Sequence, residues 1–387
     1  MPTRRAIRLH PLRGQPTGWS ALEVVPWHDA GRFTGDGDDP GDRLDYHTGL
    51  VYPQDAASQV PVLLLAPRPG EVVIDTCAAP GSKTSQIGIA LGDAGVVVAC
   101  DADPRRRAVL GEVLARQGVT AAVVTPMPVA VLAERRPGCA DGVLVDAPCS
   151  GHLPSPTERQ CERLAVKQGR ILADAARLVR PGGRLVYSTC TDRRIENEDV
   201  VRAFLDANPG WRPDPATLPG CDADLDGLGG LRLGAERQGT EPFFAIRLVR
   251  DQDGPVDTLA GDAPEPLPLP WPVPGTVMRL GGHAVAVTAA AAACALPAEV
   301  RGLRLGRIHE RGCEWQPWGA QWLASRGAPA TVVAHGDAAA LWAGATMALP
   351  DAPFAVTDRG APLGVLAGPP DARRLDLPSR MRRAGLR

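Results

Sequence analysis

The chain has 387 residues, of which 44% are hydrophobic and 22% are charged, a composition typical of globular proteins with ordinary buried cores. At roughly 150 residues per domain, the length predicts two or three domains and excludes a single small module. Lys and Arg number 42 and Asp and Glu number 44, which leaves a formal net charge of −2. Any basic surface that binds nucleic acid must therefore be confined to one part of the protein.

The cysteines and the apolar runs restrict the class of protein further. Nine cysteines are spread along the chain without a C-x-x-C pair, so we expect no metal site of the usual zinc spacing and no disulfide framework. The longest apolar stretches, 60–66 and 284–297, are shorter than the about 20 residues that a membrane helix needs. The Arg-rich N-terminus lacks the apolar segment of a signal peptide. We therefore expect a cytoplasmic protein that does not enter a membrane.

In chain order, a short N-terminal segment over residues 1–40 precedes a region in which short apolar runs alternate with helical stretches. This alternation predicts βαβ units with a parallel sheet, and hence an α/β fold. The long helix of the region ends at an Arg-Pro-Gly-Gly sequence, which is a strong helix terminator. The predicted strands are 72–75, 96–100, 142–146 and 185–188. One predicted helix begins near Ser82, and two others cover 104–117 and 158–179.

A proline-rich stretch separates this region from the C-terminal part of the chain. Every second residue from Pro264 to Pro274 is a proline, which predicts an extended, semi-rigid linker over residues 251–274. Residues 275–387 contain short apolar runs between glycines and prolines, and they predict a second, smaller domain that is rich in β-structure or mixed α+β. The alanines at 289–293 predict a helix within it.

The first motif with chemical meaning is D-T-C-A-A-P-G-S-K-T at residues 75–84, where a strand ends and a helix begins. Ligands of open α/β sheets bind at the carboxyl ends of the strands. The small residues let the backbone approach a ligand, and free amides at the start of a helix favour a negative group. Asp101 ends the next strand, where a carboxylate can accept hydrogen bonds from ribose hydroxyls. These features indicate a nucleoside-containing cofactor, although a tight structural turn and a solvated Asp remain an alternative.

Two further motifs follow later strands, and each contains a cysteine. Cys149 lies in D-A-P-C-S-G at 146–151, and Cys190 lies in S-T-C-T at 188–191. If both strands belong to one parallel sheet, both cysteines lie at the same edge as the cofactor loop. Free cysteine is most often a small buried hydrophobic residue, and we interpret Cys77 in this way. Lys83 stands out because only two of the 42 basic residues of the chain are lysines and the rest are arginines.

Together these motifs resemble the Nol/Nop/Sun family of RNA cytosine-5 methyltransferases, which use S-adenosylmethionine. The resemblance rests on residues 75–84, V-D-A-P-C-S-G at 145–151 and Y-S-T-C-T at 187–191, and it covers about residues 40 to 250. It implies a Rossmann-like methyltransferase domain over 41–250. The C-terminal residues, 275–387, more weakly resemble the PUA-like RNA-binding domain of the bacterial F-type enzymes that act on small-subunit ribosomal RNA.

The resemblance implies specific catalytic roles. Cys190 is the nucleophile that adds to carbon 6 of the cytosine, because carbon 5 alone is a poor nucleophile towards a sulfonium methyl group. Asp146 hydrogen-bonds N3 and the exocyclic amine of the base, and Cys149 assists the release of the enzyme. Lys83 stabilises negative charge in the site or lowers the pKa of a thiol.

The resemblance also implies which residues hold the methyl donor, and it reveals two departures from the family pattern. The family usually has an Asp after the third strand to bind adenine, but residues 125–128 are Thr-Pro-Met-Pro. After Gly151 the family commonly continues with another glycine and a basic residue, but this chain has His-Leu-Pro-Ser-Pro at 152–156, which predicts a stiffer and less basic loop. The implied S-adenosylmethionine contacts are Cys77, Ala78, Ala79, Pro80, Gly81, Ser82, Lys83, Asp101, Arg106 and Asp146.

We expect the substrate to be ribosomal RNA of the small subunit, with transfer RNA as the alternative. A third possibility is a ribosome-assembly or RNA-binding factor without turnover, because the adenine-binding Asp is missing. We expect an RNA partner, bound through local arginine clusters such as 105–107 and 193–194, and a target base in a single-stranded or flipped state. We expect Trp315, Trp318 and Trp322 to pack in a core and not to stack on bases. We also expect a monomer.

Overall fold

An antiparallel sheet of four strands, in the order β2-β3-β1-β4, precedes the main α/β region. Arg8 ties this sheet to the main region, because its guanidinium is buried and donates a hydrogen bond of 2.8 Å to Ser85. Because β1 pairs with β4, the sheet crosses the boundary that we expected at residue 40. Its elements are β1 (Ala6–Leu9), β2 (Val24–Val25), β3 (His28–Phe33), α1 (Leu44–His47) and β4 (Val51–Pro53). The structure is a computed structural model that describes residues 3–13, 18–35, 37–223, 227–254, 256–262, 266–267, 276–309, 312–326, 328–333, 335–343, 345–349, 352–357, 362–367 and 370–377.

The main region contains a ten-stranded sheet. Nine of its strands follow the order β11-β12-β13-β9-β8-β5-β6-β7-β16, and β10 pairs with β13. The last of the nine, β16 (Val300–Arg301), comes from the C-terminal part of the chain. The strands from β9 to β7 are parallel to one another. This confirms the predicted Rossmann-like α/β fold. The region contains α2 (Val60–Leu65), β5 (Val72–Asp75), α3 (Ser82–Leu91), β6 (Val96–Cys100), α4 (Pro104–Arg116), β7 (Ala122–Thr125), α5 (Val129–Arg135), β8 (Ala140–Asp146), α6 (Glu158–Leu178), β9 (Val179–Thr189), α7 (Glu198–Ala207), β10 (Trp211–Pro213), β11 (Asp222–Ala223), β12 (Leu231–Leu233) and β13 (Phe243–Arg250).

The local sequence explains these elements and their register. The valines of β6 are buried because helices cover both faces of a parallel sheet. Helix α6 begins at a capping box in which Thr157 and Gln160 satisfy each other's backbone amides. In the parallel register Asp75 lies beside Leu144, and Asp146 lies beside Ser188. The ends of β5, β8 and β9 therefore meet at one edge of the sheet.

The C-terminal region is mixed α and β. It forms two sheets of four strands, β14-β15-β17-β18 and β19-β20-β21-β22. Trp322 is buried in its core, and Trp315 and Trp318 pack against the same cluster, which confirms the expected core role of these residues. The elements are β14 (Val277–Leu280), β15 (His283–Ala286), α8 (Ala289–Ala293), β16 (Val300–Arg301), β17 (Leu303–His309), β18 (Gly312–Trp315), α9 (Pro317–Ser325), β19 (Ala330–Val333), α10 (His335–Trp342), β20 (Phe354–Thr357), β21 (Pro362–Ala367) and β22 (Arg374–Leu375).

The C-terminal region is joined to the main sheet through β16, which pairs antiparallel with β7. Part of the predicted linker also packs, since Leu259 is 3% exposed and its carbonyl accepts a hydrogen bond of 2.7 Å from the amide of Ala295. Residues 255, 263–265 and 268–274 of the predicted linker, and residues 275 and 378–387 of the predicted C-terminal domain, lie outside the described residues. In the part of the chain that the structure describes, no helix combines the length and apolarity needed to cross a membrane.

Candidate active site

The structure brings Cys149 and Cys190 together at the carboxyl edge of the sheet. Cys149 lies in the loop after β8 and Cys190 directly follows β9. Their sulfur atoms are joined as a disulfide, a pair that the expected absence of a disulfide framework did not include, and reduction converts them to two thiols. Their Cα atoms lie 6.3 Å apart, and they are separated by 41 positions in the sequence. The backbone amide of Cys190 also donates a hydrogen bond of 3.1 Å to the sulfur of Cys149. Cys149 is 5% exposed, whereas Cys190 is half-buried and open to the surface of the site.

An ion pair lies at the same edge, between Lys83 at the start of α3 and Asp146 at the end of β8. The distance from Lys83 Nζ to Asp146 Oδ2 is 2.7 Å, and the side chains are 9% and 29% exposed. Lys83 also donates to Ser58 Oγ at 2.8 Å, and Ser188 Oγ donates to Asp146 Oδ1 at 2.8 Å. Asp146 thus has a fixed orientation and a partly accessible face. The sequence did not predict the contacts of Ser58 or Ser188, because these depend on how separate elements meet.

Buried polar residues hold the two cysteine loops in place. Glu196 is fully buried, and its Oε2 accepts hydrogen bonds from the amide of Ser150 at 3.0 Å and from Gln168 Nε2 at 2.8 Å. Gln168 also donates to the carbonyl of Pro148 at 3.0 Å. In the segment after β9, Asn197 Nδ2 donates to the carbonyl of Thr191 at 2.9 Å. These roles were not predicted from the sequence. The polar residues 196–198, which follow the Thr-Cys motif, were the feature that could have indicated them.

We expect Glu196→Ala to lower the free energy of unfolding by about 2–4 kcal/mol, because two buried donors lose their shared acceptor. Urea unfolding followed by circular dichroism measures this change. Glu196→Gln keeps the shape and one acceptor oxygen, so its loss is expected to be smaller. A Glu196→Ala protein within about 0.5 kcal/mol of the wild type, which is the range of ordinary surface changes, would show that this carboxylate does not hold the loop.

The loop over residues 75–84 is tightly folded. Asp75 is buried, and burial raises its pKa to about 6, although a hydrogen bond of 2.7 Å from Thr84 Oγ1 opposes the rise. Gly81 has a φ of +115°, and a Cβ there would lie 2.9 Å from Leu110 Cδ1. Only glycine meets both the conformation and the close approach of α4 at this position.

Cys77 has the chemistry of a packing residue. Burial, together with the nearby carboxylates of Asp75 and Asp146, raises the pKa of its thiol to about 12. A thiol with such a pKa is protonated at neutral pH and is a poor nucleophile. This agrees with our interpretation of Cys77 from the sequence. Burial likewise raises the pKa of Cys100 and of Cys139.

Comparisons with known proteins identify the family of this chain. Residues 62–249 match the family described as 16S rRNA methyltransferase RsmB/F. The chain is 32% identical over 376 residues to "Ribosomal RNA small subunit methyltransferase F" of Klebsiella pneumoniae, with 81% of this chain and 76% of that protein aligned. The chain belongs to the RsmB/F methyltransferase family. Against the protein of the same name in Aeromonas hydrophila it is 35% identical, with 66% of this chain but only 59% of the relative aligned.

Solved structures support the same assignment. A methyltransferase homologue from Pyrococcus horikoshii has a TM-score of 0.58 and 28% identity, and the alignment covers 65% of this chain and 87% of that chain. The structure of NSun6 from the same organism has a TM-score of 0.52 and 26% identity, and 58% of each chain is covered. As a member of the RsmB/F family, the chain is an enzyme that uses S-adenosylmethionine as methyl donor.

The residues of this RsmB/F protein fit S-adenosylmethionine. No side chain among the described residues caps the N-terminus of α3, so its first amides can receive the carboxylate of the donor. Asp101 lies at the end of β6, is 9% exposed, and accepts a hydrogen bond of 3.3 Å from the amide of Ala79. Arg106 pairs with Asp101 at 3.2 Å and donates to the carbonyl of Ala79 at 2.5 Å. Arg106 therefore lies beside the carboxylate that is expected to contact the ribose.

A carboxylate from the C-terminal region lies beside the end of β7, where residues 125–128 contain no acidic residue. The strand β16 pairs Val300 with Val124, which brings the preceding residue, Glu299, to the carboxyl end of β7. Both oxygens of Glu299 accept hydrogen bonds of 2.8 Å from Arg107. The C-terminal region thus contributes a carboxylate to the edge of the sheet where the family usually has an Asp in the third-strand loop.

Proposed function

We propose that this enzyme transfers a methyl group to carbon 5 of cytosine in small-subunit ribosomal RNA through a covalent cysteine adduct. The observation that carries the proposal is the meeting of Cys149 and Cys190 beside the Lys83–Asp146 ion pair. One thiol can add to the base and a second can assist its release. The names of the relatives refer to small-subunit ribosomal RNA, which supports this class of substrate.

In the first step the thiolate of Cys190 attacks carbon 6 of the cytosine. As the carbon–sulfur bond forms, the electron pair of the 5,6 double bond shifts to carbon 5 and on towards N3. Carbon 5 thereby becomes nucleophilic. Asp146 is suited to hydrogen-bond N3 and the exocyclic amine, because Lys83 and Ser188 fix its carboxylate and leave part of it accessible. The bound donor supplies the methyl group that carbon 5 then receives.

In the second step carbon 5 passes its proton to water, and the electron pair of the broken carbon–hydrogen bond forms the 5,6 double bond again. The carbon–sulfur bond breaks at the same time, and its electron pair returns to the sulfur of Cys190. We assign to Cys149 the task of assisting this release, which its contact with Cys190 supports. Cys149 is too deeply buried to be the first nucleophile, since it is 5% exposed.

The methyl donor is proposed to lie across the loop of residues 77–83 and the end of β6. The amides of Ser82 and Lys83 face its carboxylate, and Asp101 faces its ribose. The small side chains of Ala78 and Ala79, together with Pro80 and Gly81, form the backbone path around it. Cys77, Arg106 and Asp146 complete the proposed contacts.

The C-terminal region is proposed to be a PUA-like RNA-binding domain. Its two small sheets and its attachment beside the cofactor edge of the main sheet support a role in presenting RNA to the site. Arg193 is exposed just beyond Cys190 and is suited to contact phosphate groups. The proposed substrate also favours a cytoplasmic enzyme, and the monomeric state remains a prediction.

We expect 5-methylcytidine to appear in small-subunit ribosomal RNA when the purified enzyme is incubated with that RNA and labelled S-adenosylmethionine. Nucleoside analysis of the digested RNA identifies the modified base, and transfer RNA serves as the parallel substrate. Label confined to transfer RNA would favour the alternative substrate. Label on a base other than cytosine would contradict the proposed chemistry.

A further inference from the structure

The loop between Cys149 and helix α6 carries a histidine next to the proposed nucleophile. His152 Nε2 lies 3.4 Å from Cys190 Sγ, and one donor atom from each of Cys149, His152 and Cys190 lies within 4.8 Å of the others. In the sequence, His152 stands out only as a departure from the family pattern. Neither the family resemblance nor the proposed function assigns it a role.

Close packing of the backbone sets this contact. A Cβ on Gly151 would lie 1.9 Å from the carbonyl oxygen of Cys190 and 3.1 Å from its sulfur, so this position requires glycine. The next residue is therefore held beside Cys190. Two prolines, Pro154 and Pro156, follow within four residues and restrict the backbone of the loop. His152 itself is exposed, so its ring remains in contact with water and can exchange protons.

We infer that His152 is the base that removes the thiol proton of Cys190 and holds the sulfur as a thiolate for attack on the pyrimidine. The inference rests on the proposed function in taking Cys190 as the nucleophile. The S–H bond breaks, the proton moves to Nε2, and the electron pair stays on sulfur. This step requires the neutral tautomer with its proton on Nδ1. The resulting imidazolium stabilises the thiolate before attack and again after the carbon–sulfur bond has broken.

Among the described residues, the charged groups around Cys190 have other partners or face solvent, so we assign removal of its thiol proton to His152. Asp146 is paired with Lys83, so the two nearly cancel each other at the thiol. The Oε2 atom of Glu196 accepts hydrogen bonds from the amide of Ser150 and from Gln168 Nε2. On the segment after Cys190, Asp192 and Arg193 are exposed to solvent and opposite in charge. The sulfur of Cys149 also touches that of Cys190.

The test is the pH dependence of alkylation of Cys190 by iodoacetamide, followed by mass spectrometry of its peptide in the full-length reduced protein. The Cys149→Ala background removes the neighbouring thiol. We expect half-maximal alkylation at least about one pH unit below the value near 8.5 of an ordinary cysteine. Adding His152→Gln, which keeps a hydrogen-bonding nitrogen but cannot take the proton, should raise the half-maximal pH by about one unit or more. The matched control, His309→Gln in the C-terminal region, should leave it unchanged.

An unchanged alkylation profile in the His152→Gln protein would overturn the inference. This assay needs neither RNA nor methyl donor, so its failure is distinct from a failure of the proposed function. In methyl transfer we expect His152→Gln to lower the rate by about 10²-fold at pH 7 and to recover most of it near pH 9. An equal loss at every pH would show that His152 only positions the loop, and it would also overturn the inference.

Discussion

Cys190→Ala is expected to lower the rate of methyl transfer by about 10⁴-fold or more, because removal of the nucleophile from an enzyme that works by covalent catalysis abolishes the main path. The substitution removes the half-buried thiol that follows β9. It leaves the Lys83–Asp146 pair and the donor loop intact. Incorporation of labelled methyl groups into small-subunit ribosomal RNA measures the loss.

Two controls make this result specific. Cys221→Ala removes another half-buried thiol, one whose pKa burial raises to about 12, and it should keep the wild-type rate. Binding of S-adenosylmethionine to Cys190→Ala, measured by calorimetry, should stay within about twofold of the wild type. A Cys190→Ala enzyme that methylates within tenfold of the wild-type rate would show that another residue is the nucleophile.

Cys149→Ala is expected to have the opposite phenotype, in which the base is methylated but the enzyme stays attached to the RNA. Loss of the residue that assists release slows breakage of the carbon–sulfur bond, and general acid–base assistance contributes about 10²–10⁴-fold in such steps. A protein–RNA species that survives denaturing electrophoresis should therefore accumulate to about one RNA per enzyme. Turnover beyond the first methyl transfer should fall by the same factor.

The double variant Cys149→Ala/Cys190→Ala is the matched control for this species. It should form no denaturation-resistant complex, because the nucleophile is absent. A complex of equal abundance in the double variant would mean that the bond to RNA comes from a different side chain. Rapid turnover by Cys149→Ala, with no trapped species, would remove Cys149 from the release step.

Much of the parallel sheet could be predicted, because its central strands are buried on both faces and carry runs of apolar residues. The predicted strands at 72–75 and 96–100 agree with β5 and β6, and the helix predicted at 158–179 agrees with α6 within one residue. The N-terminal sheet and β16 could not be found in this way. Strand β16 contains two residues, and its pairing with β7 joins parts of the chain that are far apart in sequence.

The same distinction holds within the site. The approach of Cys149 and Cys190 follows from the rule that parallel strands end at one edge, so two motifs at strand ends were sufficient to predict it. The contact between His152 and Cys190 depends on the path of an irregular loop. The hydrogen bonds of Glu196 depend on the packing of α6 against the segment after β9. Neither depends on a repeating pattern that could be read along the sequence.

The measurement that tests the central claim most directly is mass spectrometry of the RNA-linked peptide from Cys149→Ala after incubation with ribosomal RNA and S-adenosylmethionine. After digestion with nuclease and protease, we predict one modified peptide that carries a methylated cytidine nucleotide on Cys190. Attachment of the nucleotide to any other residue, or complete methylation without a linked peptide, would contradict the account.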